Sequence, residues 1–396
     1  MSSTWNVVPF TEAVDICDTL RKPINSSERA SRIKGKEQSE LYPYYGATGQ
    51  VGFIDDYITD GEYVLLGEDG APFLDAFSKK AYIISGKTWV NNHAHVLKSK
   101  TNNKFLCYYL NSFNYKGYVS GTTRLKLTQA EMKRIPVPVP PLSEQERIVA
   151  RIEELFSQLD AGVETLKKTK AQLAVYRQTV LKEAFEGKYT PDVTMHEIKM
   201  GEIADGKDGL RRGPFGSAIK KAFFVESGYK VYEQGNAINN DCKRGHYYIS
   251  ADKYNELSSF QLRPGDFIVS CSGTIGKIAQ LPADAELGVI NQALMRIRLK
   301  PDVIDPYYFM MQFRSEVFQR KIVSRGSGMG NLAGIKEFKL ATMFIPENYE
   351  NQKQIVAEIE LRMSVCDSIE QTVDTALQQA EAMRQSILKD AFEGRL

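Results

Sequence analysis

Four histidines, His93, His95, His196 and His246, and five cysteines, Cys17, Cys107, Cys242, Cys271 and Cys366, are the side chains best suited to acid–base, nucleophilic or metal work. The cysteines are scattered with no C-x-x-C pair, which suggests neither a zinc site nor a disulfide framework. His93 and His95 alternate, so a strand would point both to one face; with no partner cluster in view, a structural role outweighs ligation. Ala81 to Thr88 has the outline of a phosphate-binding loop, but its bulky residues obstruct a backbone N–H cradle, and it reads as a strand and turn. The glycines from Gly326 to Gly330 follow no hydrophobic strand in the place a cofactor loop requires. Asp192, Glu197 and Lys199 suggest a nuclease set, yet their spacing leaves little room for paired strands converging on a metal. An adenine methyltransferase needs a D/N/S-P-P-Y/F motif, and the sole Pro-Pro, Pro140-Pro141, is followed by Leu142. The expectation is a chain with no catalytic residue, no metal and no cofactor of its own.

Binding chemistry is better represented. Phosphate contact uses Lys, Arg and exposed backbone N–H groups, and base reading uses forked or planar donors that reach the major groove. Polar, glycine-bearing segments offering both run from Tyr44 to Gly49, Gly121 to Lys126, Arg211 to Ser217, Gln234 to Asn236, Ser272 to Thr274 and Arg325 to Ser327. The side chains expected to meet DNA are Tyr44, Tyr45, Thr48, Thr122, Thr123, Arg124 and Lys126 in the first half of the chain. In the second half they are Arg211, Arg212, Ser217, Gln234, Asn236, Ser272, Thr274, Arg325 and Ser327. Against each stands the plainer reading of a turn, and for Tyr44 and Tyr45 that of core.

The elements that must position these loops emerge from an internal repeat. Residues 145–188 and 352–395 align without a gap and are identical at 18 of 44 positions, where chance gives about two or three. Both copies carry a seven-residue apolar repeat: Ile152, Leu159, Leu166, Leu173 and Val180 in one, Ile359, Cys366, Val373, Ala380 and Ile387 in the other. A proline-rich run, Ile135 to Glu146, precedes the first copy and offers Ser143 as N-cap with Glu146 as its capping-box partner. The second begins near Asn348, and both end in A-F-E-G, at Gly187 and Gly394. Two helices of about 40 residues, roughly 60 Å each, follow. The segments between them share only traces, such as Asn92-His93-Ala94 with Asn291-Gln292-Ala293, and their β-branched and aromatic content with turn signals predicts mixed α and β domains. The chain reads as domain 1–140, helix 141–188, domain 189–347 and helix 348–396, an α+β protein.

Composition is consistent with this division. At 396 residues and 42% hydrophobic, the chain can bury two or three cores. No stretch approaches the roughly 20 apolar residues of a membrane span, and the opening residues lack a signal-peptide layout, so a cytoplasmic location is expected. Lys and Arg outnumber Asp and Glu by 17 to 14 over residues 1–140 and by 21 to 18 over 191–348. That modest surplus suits phosphate contact without demanding it.

Taken together, the L-S-E-Q-E-R-I-V-A run from Leu142 to Ala150, the Q-x-x-I-V-A-x-I-E copies at Gln145 and Gln352 and the twin A-F-E-G-(K/R) endings resemble the specificity subunit of type I restriction-modification systems, HsdS. The resemblance covers nearly the whole chain; at the second helix, Pro346 to Glu350 departs from the full P-P-L-S-E-Q pattern. It implies two target-recognition domains separated by two long antiparallel coiled-coil helices in a pseudo-two-fold arrangement, each domain reading half of a split site on double-stranded DNA. It further implies two modification subunits that methylate adenine N6 from S-adenosylmethionine, and two restriction subunits that use ATP with Mg. A self-sufficient methyltransferase or nuclease, and a coiled-coil scaffold binding only proteins, are the competing readings.

Overall fold

The computed structural model describes residues 5–214, 218–324, 331–332 and 334–396. They form two compact units: Met1–Lys168 with Thr372–Leu396, and the continuous segment Thr169–Gln371. The repeated segments form helices Leu142–Phe185 and Tyr349–Phe392, each of 44 residues. Each begins in one unit and ends in the other. The unit boundaries therefore fall inside both helices.

Within the first unit, strands Val14–Ile16, Ala94–Ser99, Tyr63–Gly67 and Ala81–Ile84 make an antiparallel sheet in that spatial order. Beside it lies a mixed sheet of Gly49–Ile54, Tyr42–Gly46, Lys87–Val90 and Thr59–Asp60, in which Tyr42–Gly46 runs parallel to Lys87–Val90. The second unit repeats this plan. Strands Leu210–Arg212, Leu294–Ile297, Phe267–Ser270 and Ile278–Gln280 form its antiparallel sheet, and Tyr229–Tyr232 runs parallel to Gly288–Ile290 in its mixed one. Val64, Leu65 and Leu66 are all fully buried, so both faces of their strand are covered and no hydrophobic alternation is visible there. The shared plan also corrects one sequence pairing. The Asn91 amide donates to Tyr45 O and the Asn91 side chain accepts from the His93 amide, as Asn291 does with Tyr232 and Ala293. Asn91 is thus the counterpart of Asn291, one residue before the position suggested by sequence.

Both long helices end in the same turn: Gly187 and Gly394 have φ of 79° and 72°, and the following amides reach back to Glu183 O and Asp390 O. At their starts they differ. Pro141 O accepts from the Glu144 and Gln145 amides, so Ser143 lies inside the first turn and is not the cap, whereas Asn348 Oδ1 accepts from the Glu350 amide.

In each unit the two helices run antiparallel. Arg147 reaches Leu396 O and Asp160 pairs with Arg384 in the first; Lys170 pairs with Glu370 and Arg177 with Asp367 in the second. Along the seams, Ile152, Leu173, Val180, Ile359, Cys366, Val373 and Ala380 are buried, and Leu159 and Leu166 half-buried. Near the end of the second helix Leu388 is buried and Ile387 only partly, because a 3.6-residue turn drifts against a seven-residue repeat.

The repeat also fastens the start of each helix to the unit in which it begins. Gln145 accepts from Thr101 Oγ1 at 2.9 Å and donates to Pro140 O at 2.8 Å; Gln352 accepts from the Asp305 amide at 2.7 Å and donates to Val303 O at 3.0 Å. Both glutamines are buried. Gln145→Leu should therefore destabilise the first unit by about 1–3 kcal/mol, since it strands a buried carbonyl. Urea denaturation followed by tryptophan fluorescence checks this directly, because Trp5 and Trp89 both belong to the first unit.

Candidate nucleic-acid interface

In the first unit, two of the segments singled out above meet. The Ser120 and Lys126 backbones exchange hydrogen bonds of 3.0 and 2.8 Å, closing a loop whose tip, Gly121 to Arg124, is exposed. Gly121 makes this possible: its φ is 95°, and a Cβ there would lie 2.4 Å from Arg124 O. The loop docks on the end of a central strand, where Gly70 N donates to Leu125 O and Leu127 N to Glu68 O.

Together these segments line an open groove of about 750 Å³ that includes Thr48, Thr122, Thr123 and Arg124 with Val51, Asp69, Asn91 and His93. Arg124 Nε lies 2.7 Å from Asp69 Oδ1, and its side chain is 61% exposed. Lys126 Nζ is 3.6 Å from Glu68.

Behind the groove lies a buried polar network. His95 is fully buried, with Nδ1 2.8 Å from Asp18 Oδ2 and Nε2 donating to Leu127 O at 3.1 Å. Arg21 pairs with both Asp18 and Glu68. Burial opposes ionisation of Asp18, but hydrogen bonds from His95, Gln129 and the Val96 amide outweigh it and hold the carboxyl at about 2. His93, just before the strand that carries His95, faces the groove instead, so the two do not share one face.

Two first-unit expectations are corrected. Tyr44 is 4% exposed, packed with Ile54 and Trp89 beneath the Arg29 guanidinium, and cannot reach a base. Tyr45 packs against the other sheet, 5.9 Å from the ring of Tyr82, so only its neighbours Gly46 to Thr48 reach the groove.

In the second unit, the Cys271 amide donates to Ala293 O at 2.8 Å as the Glu68 amide does to His93 O, so Ser272 and Gly273 stand where Asp69 and Gly70 stand. Thr274 is exposed and Ser272 half-buried. Gln234 donates to Ser272 O and, at 3.3 Å, to Thr274 O, which fastens this loop. Arg212 lies beside it, donating to Cys271 O at 3.4 Å, while Arg211 lies over the Phe260 ring at 5.1 Å and pairs with Asp208. Asn236 is corrected: it is 2% exposed, donates to Asp241 O and Arg244 O and accepts from the Glu233 amide, a structural clamp. Ser217, Arg325 and Ser327 lie outside the described residues, as do the glycines Gly326 to Gly330.

The model of the type I restriction modification DNA specificity domain matches residues 3–174 and 210–379 of this chain. The chain belongs to this family. A Haemophilus influenzae protein bearing the name of a type I restriction enzyme specificity subunit, S.HindORF215P, is 32% identical over 277 residues, 68% of this chain and 66% of that protein. The EcoKI type I restriction enzyme specificity subunit of Escherichia coli K12 is 25% identical over 315 residues, 74% of this chain and 65% of that protein. The chain thus spans about two thirds of the length of each of these relatives. Its fold is similar to that of a chain solved in work on complex assembly and conformational transition of the type I R-M system, with TM-score 0.64, 17% identity and 99% and 98% of the two chains covered. It is also similar to the HsdS subunit from Thermoanaerobacter tengcongensis, with TM-score 0.54, 15% identity and 99% and 97% covered.

Asp69 and Asn91 on the groove, and the basic run beside it, were not among the residues expected from the sequence to meet DNA. Six Lys and Arg residues, Arg21, Lys22, Arg29, Arg32, Lys34 and Lys36, face one acid, Glu28, between positions 21 and 36. A short charge window would have found them. Arg29 donates to Val51 O at 3.3 Å, next to the groove wall.

Proposed function

We propose that this chain is the DNA-reading subunit of a type I restriction-modification complex, with each unit reading one half of a split site on double-stranded DNA. The observation that carries this is the repetition of one architecture with different side chains on equivalent loops: Asp69 opposed by Arg124 in one unit, Ser272 fastened by Gln234 in the other. One scaffold presented twice with unlike polar loops suits two unlike half-sites. In this reading the chain performs no chemistry: its sequence has no D/N/S-P-P-Y/F motif. Two modification subunits supply methyl transfer to adenine N6 from S-adenosylmethionine, and two restriction subunits supply ATP- and Mg-dependent cleavage.

The test is a swap. Replacing residues 1–140 by the matching segment of a related subunit should change one half of the methylated sequence, read by mapping N6-methyladenine, and leave the other half unchanged. A swap that alters both halves, or a wild-type complex that shows no salt-dependent preference for any sequence, defeats the proposal.

A further inference from the structure

We infer that the first unit reads a guanine through Arg124, with Asp69 as the residue that positions it; this rests on the DNA-binding reading above. Arg124 stands on the exposed tip of the Ser120–Lys126 loop, yet it is not a free surface arginine. Asp69 Oδ1 lies 2.7 Å from its Nε, on the inner edge of the guanidinium. Gly70, at φ 80°, adopts a backbone conformation that favours glycine, and a Cβ there would lie 3.2 Å from Nε and 3.7 Å from Cγ of the arginine, which packs over it. Gly121 supplies the turn that brings residue 124 back to this point.

The arginine is thus held at its inner edge and cradled along its stem. Among the described residues no hydrogen bond engages its terminal amino groups, which remain for a ligand. A fork with two adjacent donors matches the O6 and N7 acceptors that guanine alone presents together in the major groove. A phosphate contact needs no such support, since a flexible cation suffices. The carboxylate restrains the arginine before binding and lowers the ordering cost of the contact. The second unit has Ser272 in place of Asp69, so among the described residues no carboxylate stands at this place to position an arginine in the same way.

The experiment uses the full chain assembled with its modification subunits and duplexes taken from its own mapped methylation sites, each base pair of the first unit's half-site replaced in turn. Arg124→Gln should lose about 10- to 100-fold in affinity for the native duplex and show no remaining preference at one G·C position, with the other positions unaffected. Asp69→Asn, nearly the same shape without the charge, should weaken discrimination at that same position and no other. Thermal unfolding of both variants, unchanged from wild type, separates this from misfolding. Uniform weakening across all duplexes with a salt slope lower by about one makes Arg124 a phosphate contact and overturns the inference while leaving the DNA-reading role intact. Unchanged discrimination in Asp69→Asn overturns the positioning role. A wild-type complex that binds all duplexes alike defeats the proposed function itself.

Discussion

Asp18→Ala is expected to destabilise the first unit by about 3 kcal/mol, because it removes one partner of a buried pair and leaves His95 without its carboxylate. The loss should extend to DNA binding: His95 also holds Leu127 O, at the base of the Ser120–Lys126 loop, so the groove wall loosens with it. The acid dependence follows from the depressed carboxyl. Its folded-state value of about 2 lies below the ordinary 3.8, so its contribution is complete above about pH 4 and is lost as pH falls through about 2. Tryptophan-detected urea unfolding at neutral pH and near pH 2 should show the gap between wild type and variant narrowing in acid. A constant gap across that range would mean that the network stabilises by shape and not by charge.

Phe185→Ala is expected to cost the second unit about 3–5 kcal/mol, the range for a buried phenylalanine deleted from a close-packed site. Phe185 is buried, and its ring meets Tyr308 edge-on at 5.2 Å. Phe392, its counterpart in the repeat, meets Phe105 at 5.2 Å and Tyr109 at 5.4 Å in the first unit. Hydrogen exchange resolved by peptide should speed up across Pro306–Arg314 and Thr342–Pro346 in Phe185→Ala, and across Asn103–Ser112 in Phe392→Ala. Equal effects of both variants on both sets of peptides would contradict the assignment of one phenylalanine to each unit.

These anchors show where the sequence was legible. The repeat was readable because helix ends and seams are local: Gly187 and Gly394 each close their turn within a few residues, and the buried seam follows one spacing. The reason the glutamine and phenylalanine recur was not readable, since Gln145 answers to Thr101, and Phe392 to Phe105, across long stretches of chain. The groove was half legible. Glycine and threonine announced the Gly121–Lys126 loop, but Asp69-Gly70 carries the same letters as any tight turn, and only the docking of Arg124 onto it distinguishes this one. Tyr44 and Asn236 were misjudged because polar letters near glycine say nothing of burial: a tyrosine under Arg29 and an asparagine clamping a turn look like ligand contacts until the third dimension is known.

The discontinuity of the first unit bears on the order of synthesis. The second unit is one uninterrupted stretch, Thr169–Gln371, and all its parts leave the ribosome in succession. The first unit is started before it and completed after it, since Phe392, Leu388 and Ala391 join the Phe105, Ile148 and Ile152 cluster only once the whole of the second unit has been translated. Until then the apolar face of helix Asn103–Ser112 and the early turns of helix Leu142–Phe185 wait without their partner. A nascent chain stalled after the second unit therefore exposes a hydrophobic surface that the finished protein does not, a natural substrate for chaperones and the point at which a truncated product is most prone to aggregate.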